Sequence, residues 1–210
     1  MDLFHFHIQM IQRSTGRSAV AAAAYRSGAR IVNTWDGTVH DYTRKQHVVY
    51  NEVMLPANAP PHFADRSMLW NSVEWAEKKR DAQLAREVEM ALPKELPRVA
   101  QIKLVRKFVQ KEFVDAGMCA DVAIHDKEDG NPHAHILLTV RPLNSDGSWA
   151  QKSRLVYDLD DAGQRIALPN GRWKCHKENM VDWDHRQNTE KWRKAAAETN
   201  NEALREYGFS

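Results

Sequence analysis

The chain has 210 residues, which is enough for one well-buried domain of ordinary size. Its 30 Lys and Arg residues nearly balance its 28 Asp and Glu residues, so the net charge of +2 favours no particular class of partner. The two cysteines form no CxxC pair, and no apolar run approaches the ~18 residues of a membrane helix. We therefore exclude a disulfide framework, a zinc finger and a membrane span, and expect a soluble, cytoplasmic protein without a signal peptide.

The predicted elements alternate between strands and helices. Residues 3–8 (LFHFHI) alternate in polarity and predict a strand, and residues 18–28 predict a short helix that Ser18 caps, with Tyr25 in its last turn. The remaining elements, in chain order, are a polar loop at 33–46, a strand at 47–54, a helix at about 66–80, a strand at 86–92, a long helix from Pro97 to Gly117, two strands at 119–125 and 133–140, an irregular stretch at 141–177 and a charged helix at 178–207.

This order of elements predicts an α/β (α+β) fold in which helices pack on one face of a mainly antiparallel central sheet. The other face of the sheet is then free to meet a ligand. We expect residues 1–210 to form a single domain with the helix at 178–207 at its end.

Three histidines lie within eleven positions of the sequence IHDKEDGNPHAH at 124–135. The turn-rich connector DKEDGNP joins two strand-like runs and predicts a hairpin. If His125 pairs opposite His133, the two-residue period of a strand puts His135 on the same face, and apolar residues from Val122 to Val140 occupy the other face. Three imidazoles that converge on one ion leave coordination positions open, as a catalytic site requires. The alternative is that these histidines lie on a solvated face of the sheet.

Other candidate residues lie upstream of the histidines. Glu87 and Glu89 share one face of their predicted strand and are placed to orient an imidazole, although a solvated strand face fits them equally well. Tyr25 follows four alanines and is either a packing residue or a nucleophile. Because a phenol has a pKa near ~10, a nucleophilic tyrosine needs a base or a neighbouring cation.

The first quarter of the chain is locally basic, with six basic side chains against three acids in residues 1–50. Arg17, Arg26 and Arg30 lie near Tyr25 in the sequence and are candidate contacts to a polyanion. Trp35 and Tyr42, in the polar loop, are candidates for stacking on nucleic-acid bases, or for packing residues.

Three stretches in this order, GRSAVAAAAYRSG, REVEMALPKEL and HDKEDGNPHAHILLTVR, resemble the motifs of the MobA/MobL (MobQ-type) relaxases of the HUH endonuclease superfamily. The helical end of the chain at 183–208 is also similar to the close of that domain. The resemblance covers most of the chain, and the second and third motifs are specific.

The resemblance implies a metal-dependent enzyme that nicks one DNA strand at a plasmid origin of transfer and rejoins it after mobilisation. By position, Tyr25 matches the nucleophile that becomes joined to the 5′ phosphate, and His125, His133 and His135 match the metal ligands. Glu87 and Glu89 match the acids of the second motif. The implied cofactor is Mn²⁺ or Mg²⁺, although imidazole ligands also suit Ni²⁺ or Zn²⁺. The implied partners are single-stranded or supercoiled origin DNA, accessory relaxosome proteins and a coupling protein, with no membrane.

Two other interpretations stay open. The same residue types serve rolling-circle replication initiators and single-strand transposases of the superfamily, although the order with tyrosine first and histidines last is the relaxase order. A non-enzymatic DNA-binding module, in which a metal only stabilises the hairpin, is the alternative from a different class.

Overall fold

The computed structural model describes residues 5–128 and 130–209, so Leu3 and Phe4 of the predicted first strand lie outside the described residues. The strands are β1 (Phe6–Gln12), β2 (Arg30–Val32), β3 (Val39–Asp41), β4 (Val48–Met54), β5 (Gln83–Ala91), β6 (Ala120–His125), β7 (His133–Thr139), β8 (Ser153–Tyr157) and β9 (Cys175–Asn179). The α-helices are α1 (Ala19–Ser27), α2 (Arg66–Ala76), α3 (Arg98–Val109) and α4 (Arg186–Glu206).

Five strands form the central sheet in the order β1-β5-β7-β6-β4, and every neighbouring pair is antiparallel. Two further two-stranded sheets, β2-β3 and β8-β9, lie outside it. The predicted antiparallel sheet with packed helices is therefore confirmed. In the described residues, no helix is both long and apolar enough to cross a membrane.

One face of the central sheet packs against α3 and α4. Its strands contribute alternate apolar side chains, which are fully buried together with residues of both helices. The sheet residues of this core include Val88, Met90, Val122, Ile124, Ala134, Ile136 and Leu138. This is the apolar stripe expected opposite the histidines.

The sequence suggested that the opposite face of the sheet is open. In the structure, α1 and α2 cover much of that face. Ala19, Ala23 and Ala24 of α1 are at most 1% exposed and pack with sheet residues such as Ala85 and Leu137 in a second core. Small side chains let the helix lie close to the strands. The ends of β5, β6 and β7 line a cavity beside the C-terminus of α1.

Several predicted boundaries differ from the structure. The predicted loop at 33–46 contains β3, which pairs with β2 across a turn where Thr38 N–H bonds to the Asp36 carboxylate. The irregular stretch at 141–177 contains β8 and the start of β9. The last two residues of β9 lie within the predicted helix at 178–207, and the observed helix begins at Arg186. These three strands are short or largely exposed, so none shows the apolar period by which strands are recognised.

Two predicted helices also end early. The helix expected at 66–80 ends at Ala76, and a π-helical turn at Gln110–Val114 interrupts the helix expected to run from Pro97 to Gly117. A charged stretch from Lys78 to Asp81 takes the place of the last turn of the helix predicted at 66–80. Phe113, in the π-helical turn, is fully buried in the core between the central sheet and helices α3 and α4.

Candidate functional site

The hairpin of β6 and β7 brings the three histidines together. His125 pairs directly opposite His133, as the sequence predicted, and the strand period places His135 on the same face. The ring centroids lie 5.7 Å apart for His125 and His133, and 4.9 Å apart for His133 and His135. Donor atoms of the three side chains all lie within 4.8 Å of one another, an arrangement that suits a metal ion.

Hydrogen bonds fix which ring nitrogen of each histidine is free to bind an ion. His125 Nε2 lies 2.7 Å from the Arg26 carbonyl oxygen, and His133 Nδ1 lies 3.0 Å from the Asn131 carbonyl oxygen. His135 Nδ1 lies 3.2 Å from a Glu87 carboxylate oxygen. A carbonyl or carboxylate oxygen only accepts, so each of these nitrogens carries the proton in a neutral ring and the other nitrogen has a lone pair.

The donor set therefore fits a transition-metal ion. Two donors bound to one ion at ~2.1 Å lie roughly 3.4 Å apart in tetrahedral geometry, so donor atoms within 4.8 Å of one another are close to the separation that one ion requires. Three protein ligands leave positions open for a substrate oxygen.

Burial keeps two of the rings neutral. It lowers the pKa of His125 to about 4, although the hydrogen bond to the Arg26 carbonyl acts in the opposite direction. Burial likewise lowers the pKa of His135, although the hydrogen bond that His135 donates to Glu87 acts in the opposite direction. Neutral imidazoles are the form that binds a metal.

Glu87 lies behind the histidines as an anionic support. Its side chain is 1% exposed and accepts hydrogen bonds from Gln9 Nε2 at 2.7 Å, from His135 and from Arg26. Burial alone raises its pKa, but the bonds from His135 and Arg26 and the Arg26 charge outweigh that effect and bring it to about 2. Glu87 is thus ionised, and it orients His135 as the sequence suggested.

Glu89 is placed differently. It lies two residues further along β5 on the same face, half-exposed, with one oxygen 3.7 Å from His135 Nδ1 and the other 3.6 Å from His5 Nε2. These distances exceed those of hydrogen bonds. Glu89 lines the opening of the site while Glu87 lies beneath it.

Tyr25 shares a cavity of about 280 Å³ with the three histidines, to which Arg26, Lys45, His47, Glu89 and Lys127 also contribute. The Ser18 hydroxyl caps the start of α1 by accepting from Ala21 N–H, and Gly28 ends the helix with φ 68°. The predicted helix is therefore confirmed. Its close approach to the sheet places the half-exposed Tyr25 ring, in the last turn, at the edge of the cavity.

The arginines near Tyr25 have separate environments. Arg26 lines the cavity and pairs with Glu87, and Arg17 bonds to Gln9 Oε1 at 2.9 Å with its other nitrogen 3.9 Å from Glu87. Arg30 is not brought to the cavity, and lies 3.7 Å from Asp41 in the β2-β3 sheet. Their contacts to DNA stay predictions.

The two candidate stacking residues also separate. Trp35 lies between the Trp75 ring and the Arg13 guanidinium, away from the histidines. Tyr42 packs edge-on against the Tyr25 ring, with centroids 5.2 Å apart.

Lys45 was missed by the sequence reasoning. Its Nζ lies 3.5 Å from the centroid of the Tyr25 ring and donates to the Tyr25 carbonyl oxygen at 2.8 Å. Twenty residues separate the two in the chain, so no local motif marks the contact. The only available signal was the basic character of residues 1–50.

Known proteins are similar to this chain in sequence and in fold. The model of the MobA/MobL family matches residues 17–210. The chain belongs to the MobA/MobL family. It is 41% identical over 182 residues to the conjugal transfer protein TraA of Agrobacterium fabrum, which covers 82% of this chain and 16% of that protein. It is 34% identical over 189 residues to a probable mobilization protein MobA of Bifidobacterium longum, with 87% of this chain and 34% of that protein covered.

Further relatives extend the comparison. The mobilization protein MobL of Acidithiobacillus ferridurans is 37% identical over 178 residues, which cover 73% of this chain and 46% of that protein. A solved structure described as the molecular basis of vancomycin resistance transfer in Staphylococcus aureus superposes with a TM-score of 0.84 at 31% identity, and covers 99% of this chain and 95% of that one. The matches span less than half the length of these curated relatives, whereas the similarity to the solved chain extends over nearly its whole length.

Proposed function

We propose that this MobA/MobL chain is a relaxase domain that nicks one strand of origin-of-transfer DNA through Tyr25. The observation that carries the proposal is the shared cavity, in which a tyrosine and three histidines with free ring nitrogens face the same small volume. Membership of a family whose relatives are named for conjugal transfer and mobilisation supports the reaction class.

In the proposed reaction, the phenolic oxygen of Tyr25 attacks the phosphorus of the scissile phosphodiester. The new tyrosyl O–P bond forms as the bond from phosphorus to the 3′ oxygen breaks, and the phenolic proton is lost to solvent while the departing 3′ oxygen gains one. The products are a 5′-phosphotyrosyl linkage and a 3′ hydroxyl. Because one phosphodiester replaces another, reversal rejoins the strand without ATP.

The proposed roles of the other residues follow from their positions. His125, His133 and His135 would hold a divalent ion, which would supply a Lewis acid to offset the negative charge of the transition state. Glu87 accepts the ring N–H of His135, which orients that ring, and neutralises the partly buried Arg26. Lys127 also lines the cavity and provides positive charge for the DNA backbone.

A covalent-capture assay tests the proposal. A randomised pool of single-stranded oligonucleotides with a 3′ fluorophore is incubated with the protein and MnCl₂, then resolved on a denaturing gel. Because the tyrosine keeps the 5′ end of the downstream fragment, the fluorophore should migrate with the protein. Sequencing the captured strands gives the nick position.

The controls are matched to the geometry. Tyr25→Phe should abolish covalent capture of DNA while leaving DNA binding intact. Tyr42→Phe should retain covalent capture, because the Tyr42 ring packs against Tyr25 and is not the proposed nucleophile. EDTA should stop the reaction. A DNA adduct that peptide mapping places on another residue contradicts the assignment of the nucleophile.

A further inference from the structure

The ammonium of Lys45 lies directly over the ring of Tyr25. Its Nζ is 3.5 Å from the ring centroid and donates to the Tyr25 carbonyl oxygen at 2.8 Å. A cation over an aromatic face is attracted by the negative charge density of that face. The same side chain therefore contacts both the backbone and the ring of the proposed nucleophile.

The turn before β4 fixes Lys45 in this position. Lys45 N–H bonds to the Tyr42 carbonyl at 2.9 Å, and Tyr42 N–H bonds to the Ala29 carbonyl at 3.1 Å, just after α1. The Tyr42 ring packs edge-on against Tyr25. Two hydrogen bonds, from Tyr42 N–H and from Lys45 Nζ, and two ring contacts thus join the turn to the end of α1.

The charges around Tyr25 differ in whether they are already neutralised. The Arg26 guanidinium carbon lies 4.9 Å from the Tyr25 ring centroid, but Arg26 is paired with Glu87. Lys45, in contrast, forms no ion pair with a carboxylate in the part of the chain that the structure describes. Burial lowers the pKa of Lys45 to about 8, with the charges of Arg26 and Lys127 acting in the same direction, so it is mostly protonated at neutral pH.

We propose that Lys45 is a positioning residue for Tyr25, which holds the phenol at the histidine cavity and offsets negative charge on its oxygen. This inference rests on the proposed nicking function. It supplies the neighbouring cation that a tyrosine nucleophile needs near neutral pH. The simpler role for Lys45 is a C-terminal cap of α1, because the Tyr25 carbonyl belongs to the last turn of that helix.

Three variants separate the two roles. Lys45→Gln keeps a donor for the Tyr25 carbonyl but lacks the charge, and Lys45→Arg keeps the charge. Arg44→Gln is the matched control, since Arg44 is the preceding, exposed residue and does not line the cavity. Thermal unfolding of all three shows whether the cap is intact.

The first measurement is the single-turnover rate of nicking, on the oligonucleotide selected by covalent capture, with DNA affinity measured separately by fluorescence anisotropy. At about pH 7, Lys45→Gln should nick roughly 10- to 100-fold more slowly once DNA is bound, as expected for loss of one charge-stabilising group. Lys45→Arg and Arg44→Gln should retain most of the rate.

The pH dependence adds a readout that a cap alone does not change. The titratable groups that contact the Tyr25 ring or line its cavity are Lys45, Arg26, Lys127, Glu89, Tyr42 and the four histidines His47, His125, His133 and His135. Lys45→Gln removes the charge of Lys45 at every pH, whereas the wild-type protein loses this charge above about pH 8, because the pKa of Lys45 is about 8. The rates of wild type and Lys45→Gln should therefore converge near pH ~9.5.

The second measurement requires no DNA. Tetranitromethane nitrates phenolates, so nitration of Tyr25, followed by mass spectrometry of its peptide, reports the reactivity of the phenol. Lys45→Gln should slow this nitration and Arg44→Gln should not. If Lys45→Gln and wild type have equal nitration and equal nicking rates, the proposed role of Lys45 is wrong. The role is also wrong if Lys45→Gln loses only DNA affinity. If wild type captures no DNA but the nitration difference persists, the proposed function fails while the Lys45 contact stands.

Discussion

Glu87 accepts a hydrogen bond from His135 Nδ1 at 3.2 Å and is bonded at the same time by the Arg26 side chain. This carboxylate links the β7 strand of the histidine site to α1, the helix that carries Tyr25. It fixes the tautomer of His135 so that the opposite ring nitrogen faces the cavity. A change at Glu87 should therefore affect the metal site although Glu87 is not itself a proposed ligand.

We expect Glu87→Ala to weaken Mn²⁺ binding by about 10- to 100-fold, as found when a carboxylate that orients a ligating histidine is removed. Isothermal titration calorimetry measures the affinity. Glu89→Ala is the matched control, because its nearest oxygen lies 3.7 Å from His135 Nδ1, beyond hydrogen-bond range. Equal losses in both variants indicate a general charge effect rather than orientation of His135.

The histidine arrangement was predictable because it depends on local rules. A turn-rich connector between two strand-like runs fixes a hairpin, and the two-residue period of a strand then determines which side chains share a face. The pairing of His125 with His133 follows from these rules alone. The acid that orients His135 does not follow from these rules, because Glu89 pairs directly opposite His135 while the hydrogen bond is made by Glu87, which pairs with Leu137.

The environment of the site was not predictable from local patterns. Arg26 pairs with Glu87 across 61 residues, and Lys45 reaches Tyr25 from a turn whose position depends on β3 and β4. Periodicity carries no information on such contacts. The second core was missed because Ala85 and Leu137, which lie on the histidine face, are two apolar residues among polar ones.

The packing of α1 gives a stability prediction. Ala24 is fully buried against the second core, so Ala24→Leu should overpack it and destabilise the fold by about 1–3 kcal/mol. It should also displace Tyr25 and slow nicking. Urea unfolding measures the first effect and the capture assay the second. Ala21→Leu, at a partly exposed position of the same helix, should cost less than about 1 kcal/mol, and equal costs contradict the close packing of α1.

The two thiols should differ in reactivity. Cys119 is fully buried, and burial raises its pKa to about 12 despite a hydrogen bond from Thr139. Because alkylation proceeds through the thiolate, iodoacetamide near pH ~8 should label the exposed Cys175 and leave Cys119 unmodified in the native protein. In guanidinium both should react. Peptide mass spectrometry identifies the sites, and rapid native labelling of Cys119 is the result that would contradict the second core.

The metal site gives the last prediction. His133→Ala removes one of three proposed ligands and should weaken Mn²⁺ binding at least about 10-fold, with parallel loss of covalent capture. His176→Ala is the control, since His176 is an exposed histidine of β9 that does not line the cavity. Imidazole is a better ligand for Mn²⁺ or Ni²⁺ than for Mg²⁺, so wild type should bind the first two more tightly and need a higher Mg²⁺ concentration for equal nicking. If His133→Ala binds Mn²⁺ as wild type does, the ion lies elsewhere and the three histidines are not its ligands.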